Sequence, residues 1–456
     1  MKPNKSLYTF GIVVFYFLSV SMILRAQSYP IVDDKPVSSP DLDPELSKFI
    51  DNIKAVDNHS HANTTDPNDE GSDALPLYVL LPFEIPARLR PNSPDWRAAY
   101  QKLYNYPGAS LTEQDIEAYA GNIDRLVREK GEKFQEWVLD QTGIEIMLTN
   151  RTAMGPGLSS PRFRWVSFGD ALLYPLNTKL EAATSPDREK LFPFEEQHLK
   201  NYLTDLNMAK LPVTLNEYVK QVVTRTLENQ KEKGCVAIKF EVGFLRKLDF
   251  DDVDFKTASK VYSKYINGGE PSHSEYKSLQ DFLFRYIARE TGRLGMAVHI
   301  HSFPGPGNYY DAKGSDPLLL EPVFNDPELK GTKFILVHGG GTFSDHTSMM
   351  LWKPNVYADI SGLTRFWTTQ QLANVLTEWL SQYPEKILFG TDAASFGPGI
   401  GWELGAWIAS RTCRDALALA LTQMIRHNEI TRDRAMEMAE MVMRKNANTL
   451  YDLGMN

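Results

Sequence analysis

The feature that most constrains this chain is a recurrence of short apolar runs, with helix signals filling several of the gaps between them. The runs are the one ending in the HSH of residues 59–61, IEIMLT at 144–149, RWVSF at 164–168, CVAIKFEV at 235–242, MAVHIHS at 296–302, KFILVHG at 333–339, NVYADIS at 355–361 and KILFGTD at 386–392. Runs this short and this apolar suit strands buried on both faces, and intervening helices imply parallel pairing through βαβ units. Eight such strands are what a (β/α)8 TIM-type barrel needs. The expected fold is therefore α/β: a barrel over residues 43–456, with a largely helical insertion at about 64–230 after the first strand.

Helix punctuation supports that reading. Asp43 and Pro44 have the N-cap and first-position pattern of a short helix. LTEQDIEAYAGNIDRLVREKGEKFQEWVLDQTG reads as a long amphipathic stretch with breaks at Gly121 and Gly131. Thr214 and Glu217 have capping-box spacing and Gly234 closes that helix. A further helix is expected from Ser274 to the MAVHIHS run.

The N-terminus reads differently. Residues 1–26 join a basic start, an apolar run of 16 and a small residue, Ala26. That is the layout of a secretory signal peptide, and the run is short for a bilayer span of roughly 20 residues. The expectation is export to the periplasm or beyond the cell, with no stable membrane anchoring after cleavage. Residues 27–42, rich in Pro, Ser and Asp, read as an exposed lead-in. Cleavage removes Lys2, Lys5 and Arg25 and no acid, taking the net charge from −9 to −12. So acidic a chain is a poor partner for nucleic acid. Two cysteines argue against both a disulfide framework and a zinc–cysteine cluster. The expected partner is a small-molecule substrate, and homo-oligomerisation is left open.

In a parallel barrel the C-terminal strand ends meet at one mouth, where active sites sit. Reading those ends in order gives His59 and His61, Lys239, His301 with His299 below it, His338, and Asp392. Each has a plain alternative: an exposed HxH, a snorkelling lysine, a histidine opening a glycine turn, an aspartate capping a helix. Their placement on successive strand ends favours a shared site. His198, His273, His346 and His427 lie off this pattern and read as surface or structural.

The order HxH, strand-four Lys, strand-five His, strand-six His and strand-eight Asp resembles the amidohydrolase superfamily of metal-dependent barrels. VDNHSH, ILVHGGG and ILFGTDAAS are similar to its first-, sixth- and eighth-strand motifs. NVYADISGL and NANTLYDL resemble the branch that contains aminocarboxymuconate-semialdehyde decarboxylase. GCVAIKFEV is similar to the fourth strand of amidohydrolase domains fused to glutamine-synthetase-like modules. The resemblance implies a divalent metal, zinc first, held by His59, His61 and Asp392. His301 and His338 would complete the site or hold a second ion, with His299 behind them. Lys239 would bridge two ions if carboxylated by CO2, and Glu241 is an alternative anionic group. Asp392 would move the proton of an activated water, and His338 could polarise the scissile carbonyl.

Arg151 and Arg164, beside strand ends, are candidates to grip a substrate carboxylate, and Tyr309, with Tyr310, to line the pocket. The expected activity is hydrolysis of an amide, ester or lactone bond in a small organic substrate. The alternative is non-oxidative decarboxylation on the same barrel, with sugar-acid isomerisation third.

Overall fold

The eight apolar runs pair in chain order. In a computed structural model, β1 (Ala55–Ser60), β2 (Ile144–Asn150), β3 (Phe163–Phe168), β4 (Cys235–Phe240), β5 (Ala297–His301), β6 (Phe334–Val337), β7 (Val356–Asp359) and β8 (Ile387–Leu388) form one sheet, every neighbouring pair parallel. The structure describes residues 42–455 except 67, 68, 70, 72, 91, 159, 160 and 396–398, so the expected signal peptide and all but the last residue of the lead-in lie outside the described residues. The nearly closed barrel is stitched at its seam by backbone bonds. Asn58 N–H donates to Phe389 O at 2.9 Å, Asp392 N–H to His59 O at 2.8 Å and His61 N–H to Ala393 O at 2.7 Å. The seam alone therefore sets Asp392 beside the HxH.

One apolar layer fills the lumen: Val56, Leu148, Ala237, Ile335 and Leu388 meet there, closed from below by Ala447 and Leu450. A second, larger core lies between the strands and the surrounding helices. This double burial is why the strands read as continuous apolar runs.

The helices largely follow their punctuation. Helix α1 (Pro44–Asn52) starts at Asp43, whose carboxylate accepts from the N–H groups of Glu45 and Leu46. Between β1 and β2 lie α2 (Pro94–Tyr104), α3 (Glu113–Lys130) and α4 (Phe134–Thr142). Helix α3 runs through Gly121 and stops at Gly131, where φ is +53°. Between β3 and β4 lie α5 (Pro186–Asp205) and α6 (Arg225–Glu232), the latter continuing a helical stretch that is capped by Thr214 and passes through π-helical turns at Tyr218–Thr224. Helix α7 (His273–Arg293) is capped by Ser272 with Glu275, so it starts one residue before Ser274. Helix α8 (Trp402–Arg426) follows β8, and α9 (Asn446–Tyr451) closes the chain beneath the lumen. Among the described residues no helix is long and apolar enough to cross a membrane.

The helical insertion expected over about 64–230 is not one block. Strands β2 and β3 fall inside it, so the extra helices come in two groups, one after β1 and one after β3. Helix α5 is tied to the loops that follow β1 and β5 and to the end of β3. His198 Nε2 bonds Ala74 O at 3.1 Å, Tyr202 OH donates to Phe168 O at 2.7 Å, and Asp187 accepts from Tyr309 N–H at 2.8 Å.

Candidate metal centre

Three ligand atoms converge at the mouth. His59 Nε2 and His61 Nε2 are 3.3 Å apart, and Asp392 Oδ1 lies 3.4 Å from the first and 3.5 Å from the second. A tetrahedral zinc with bonds of about 2.1 Å keeps its ligand atoms roughly 3.4 Å apart. All three edges fit a single divalent ion, and two imidazoles with one carboxylate are a suitable donor set. Among the described residues this is the only cluster of three or more His, Cys, Asp or Glu side chains gathered closely enough for such a role.

Local backbone features make the convergence possible. The β1–β2 register shifts between Asp57 and Ser60, and the adjacent side chains Asn58 and His59 both make contacts across the barrel. Asp392 adopts a left-handed φ of +54°. Beneath them Asp57 accepts from His59 N–H at 3.2 Å, from Thr391 N–H at 2.9 Å and from the Thr391 hydroxyl at 2.6 Å, clamping β1 to the end of β8.

Each ligand has a partner behind it. Asp73 accepts from His61 Nδ1, leaving Nε2 for the centre. Burial opposes a proton on His61, but the Asp73 and Asp392 carboxylates outweigh it and push the ring up to about 10. A cation at the triangle would displace the proton from Nε2. Asn150 Nδ2 lies 2.8 Å from His59 Nδ1, while Asn150 Oδ1 is buried without a partner. Metal at His59 Nε2 requires the proton on Nδ1, which a half-turn of the Asn150 amide would satisfy by presenting Oδ1. Arg365 donates to Asp392 Oδ2 at 2.7 Å. Burial raises the Asp392 carboxyl, but Arg365, His338, His59 and His61 together hold it well below the usual carboxylate range.

The remaining histidines and Lys239 surround this triangle without joining it. Lys239 Nζ is 3.3 Å from His59 Nε2, and burial lowers its ammonium against the pull of Glu241, Asp392, Asp359 and Asp170. His338 packs edge-on to His59 at 5.0 Å and to His301 at 4.8 Å between ring centroids. Ile335 and Val337 line the lumen, so strand alternation would turn His338 away. Its left-handed φ of +66° accompanies its turn back to the mouth, a conformation that costs roughly 1–2 kcal/mol for a non-glycine residue. Burial pulls His338 down to about 3, leaving the ring neutral. His301 Nε2 bonds Phe303 O at 2.8 Å, which leaves only Nδ1 as its lone pair. His299 sits lower in the barrel, 2.6 Å from the Tyr451 hydroxyl, and is a lumen residue rather than a support for the triangle.

The three substrate-binding candidates fall elsewhere. Arg151 is buried in an ion pair with Asp69 and donates to Ala62 O and Ala153 O, so it braces the loop that leads to Asp73 instead of facing a substrate. Arg164 is the second residue of β3, at the end of the barrel opposite the mouth, and bonds Pro161 O. Tyr309 is 60% exposed, whereas Tyr310 packs on Phe244 and donates to Phe303 O beside His301. Sequence reasoning missed Asp73, Asn150 and Arg365. Only Asn150, a polar residue ending an apolar run, carried any signal.

The amidohydrolase family's sequence model matches residues 266–453. Protein fluG of Emericella nidulans is 24% identical over 234 residues, 49% of this chain and 26% of that protein, so the chain spans about a quarter of the length of the curated relative it matches. Among solved structures, uronate isomerase from Thermotoga maritima superposes with a TM-score of 0.61 at 14% identity, covering 90% of this chain and 98% of that one. A protein assigned as a metal-dependent hydrolase from Lactobacillus casei gives 0.58 at 16%, with the same coverage. Glucuronate isomerase from Caulobacter crescentus gives 0.54 at 10%, covering 94% of this chain and 98% of that one. At such identities the structural likeness shows the shared barrel alone. The chain is thus similar to the amidohydrolase family over residues 266–453, on a barrel of eight parallel strands in chain order.

Proposed function

We propose that the chain is a metal-dependent hydrolase cutting an amide, ester or lactone bond of a small organic substrate. The observation that carries the reading is the triangle of His59 Nε2, His61 Nε2 and Asp392 Oδ1, with edges of 3.3 to 3.5 Å at a barrel mouth. When bound there, a divalent ion, zinc first, supplies Lewis acidity and brings the pKa of water to about 7. His59, His61 and Asp392 hold that ion, and Arg365 fixes the carboxylate's other oxygen. His338, neutral and turned to the mouth, is the group best placed to take and return a proton. Helix α5, tied to the loops after β1 and β5, limits access to the site.

The test is elemental analysis of the purified chain, followed by turnover assays with and without a chelator. One ion per chain, lost in His59→Ala and Asp392→Asn together with hydrolysis, is the expected result. Metal retained by both variants overturns the site. Release of CO2 from aromatic acids would favour a decarboxylase, and interconversion of uronates an isomerase. The mature chain is further proposed to be exported: N-terminal sequencing should begin at Gln27, and a secreted chain starting at Met1 would refute cleavage.

A further inference from the structure

Beneath His338 runs a hydrogen-bonded chain that the hydrolytic reading leaves unused. Asp359, fully buried at the end of β7, accepts on Oδ1 from His338 N–H at 2.9 Å, Ser361 N–H at 3.0 Å and the Ser361 hydroxyl at 2.5 Å. Its Oδ2 accepts from the Asn58 side-chain amide at 2.7 Å. Because the Ser361 hydroxyl donates to Asp359, its oxygen can only accept from His338 Nδ1, 3.0 Å away. The Ser361 carbonyl, 3.1 Å from the same nitrogen, can only accept as well. Both contacts put the proton on Nδ1 and leave the lone pair on Nε2. Gly362 keeps this approach open, since a Cβ there would lie 2.9 Å from His338 Nδ1.

The chain continues downward. Asn58 Oδ1 accepts from the Tyr451 hydroxyl at 2.5 Å, and the Tyr451 oxygen in turn accepts from His299 Nε2 at 2.6 Å. Tyr451 belongs to α9, the helix that closes the lumen. Both branches end on one carboxylate, and an amide in its place would face a donor with a donor unless Asn58, the Tyr451 hydroxyl and the His299 tautomer all reversed together.

We propose that Asp359 is a positioning residue that holds His338 with its Nε2 lone pair toward the mouth, and that Tyr451 ties the closing helix to the same carboxylate through Asn58. The inference rests on reading the mouth as a reaction site. Its test needs no metal, so it can fail while metal binding stands, and the reverse.

The experiment uses the full chain labelled with 15N-histidine and freed of metal by EDTA. Long-range 1H–15N correlation reads which ring nitrogen carries the proton, with His338→Gln identifying the signals. The wild type should show a slowly exchanging proton on His338 Nδ1. Asp359→Asn should speed its exchange about tenfold, the scale of one lost buried hydrogen bond, and bring in the second tautomer. Tyr451→Phe keeps the ring packing and should speed exchange by about threefold, a fraction of one such bond. A wild-type proton on Nε2, or unchanged exchange in folded Asp359→Asn, overturns the positioning role. Should Asp359→Asn not fold, Ser361→Ala decides it, with unchanged exchange again refuting the role. Unchanged exchange in Tyr451→Phe refutes the link to the closing helix.

Discussion

Replacing Asp73 by Asn tests how much of the metal affinity comes from behind the ligands. Asp73 holds His61 Nδ1, so a cation on Nε2 would sit on an imidazole backed by a carboxylate. Asparagine keeps a carbonyl acceptor of the same reach and removes the charge, and charge-assisted bonds are about twice as strong as neutral ones. Losing such a partner costs about 10- to 100-fold in metal affinity. The Asp73 side chain is 33% exposed, so solvent screens part of its field. The expected loss is therefore near the lower end, about tenfold or about 1.4 kcal/mol. There is also a pH signature. Against burial, Asp73 and Asp392 push the His61 ring up to about 10, so a cation must expel a proton and wild-type affinity climbs as pH rises toward that value. The variant holds that proton less firmly, and its slope should be shallower. Competition for Zn2+ against a chromophoric chelator across pH measures both quantities, with the thermal midpoint in EDTA as the control for folding. Affinity unchanged at every pH, or a loss matched by equal destabilisation in EDTA, would refute the reasoning.

Three further outcomes follow from buried groups. Arg151→Met leaves Asp69 without its buried partner and should cost about 3 kcal/mol in urea unfolding while also weakening zinc binding through the loop to Asp73; an unchanged midpoint would contradict the brace. Glu195 is raised well above the ordinary carboxyl value of 4.5 by burial and then by Asp170 and Glu241. A raised folded pKa gives stability that is present below 4.5 and lost as pH rises, at up to about 1.4 kcal/mol per pH unit. Glu195→Gln should thus gain on wild type as pH rises above about 5, and a pH-independent difference in denaturation midpoints would exclude it. Gly341→Ala places a Cβ 2.2 Å from Phe303 at a φ of +57° and should lower stability by about 3 kcal/mol, whereas Gly331→Ala, with nothing within 4 Å, should be nearly silent in calorimetry.

What the sequence revealed and what it hid follow from the same physics. The eight strands were legible because burial on both faces leaves short apolar runs, with polar residues collecting at their ends. His59, His61 and Asp392 were legible because each stands at such an end. His338 was legible as a residue but not as a direction: its orientation depends on a left-handed backbone that no run pattern encodes. Asp73 and Arg365 reach their histidine and aspartate from loops, where periodicity carries no information. Arg164 was misplaced because a residue opening a strand reads like one closing it until the strand's direction in the barrel is known. For Tyr309 and Tyr310 the loop offers no alternation, and only packing against Phe244 separates the buried ring from the exposed one.

The two buried aspartates beneath the mouth account for a site this well ordered on strand ends this irregular. Strand β8 is two residues long and β6 and β7 four each, so the ladder alone does little to fix the residues just beyond them. Asp57 joins the His59 backbone to Thr391, the residue before Asp392, and Asp359 joins the His338 backbone to Ser361 and to Asn58, the residue before His59. Each carboxylate thus bonds the backbone of one candidate functional residue and a group next to another. Neutral side chains could not accept so many donors at once, and an apolar layer would leave those N–H groups buried and unpaired. Ionised carboxylates in a buried layer are themselves costly, and burial drives the Asp57 acid up to about 7 against the bonds from Thr391 and His59. The barrel thus carries a destabilising group on β1, two residues before the candidate ligand His59, and the placement is explained if what it secures is the spacing of His59 and Asp392, not the stability of the fold.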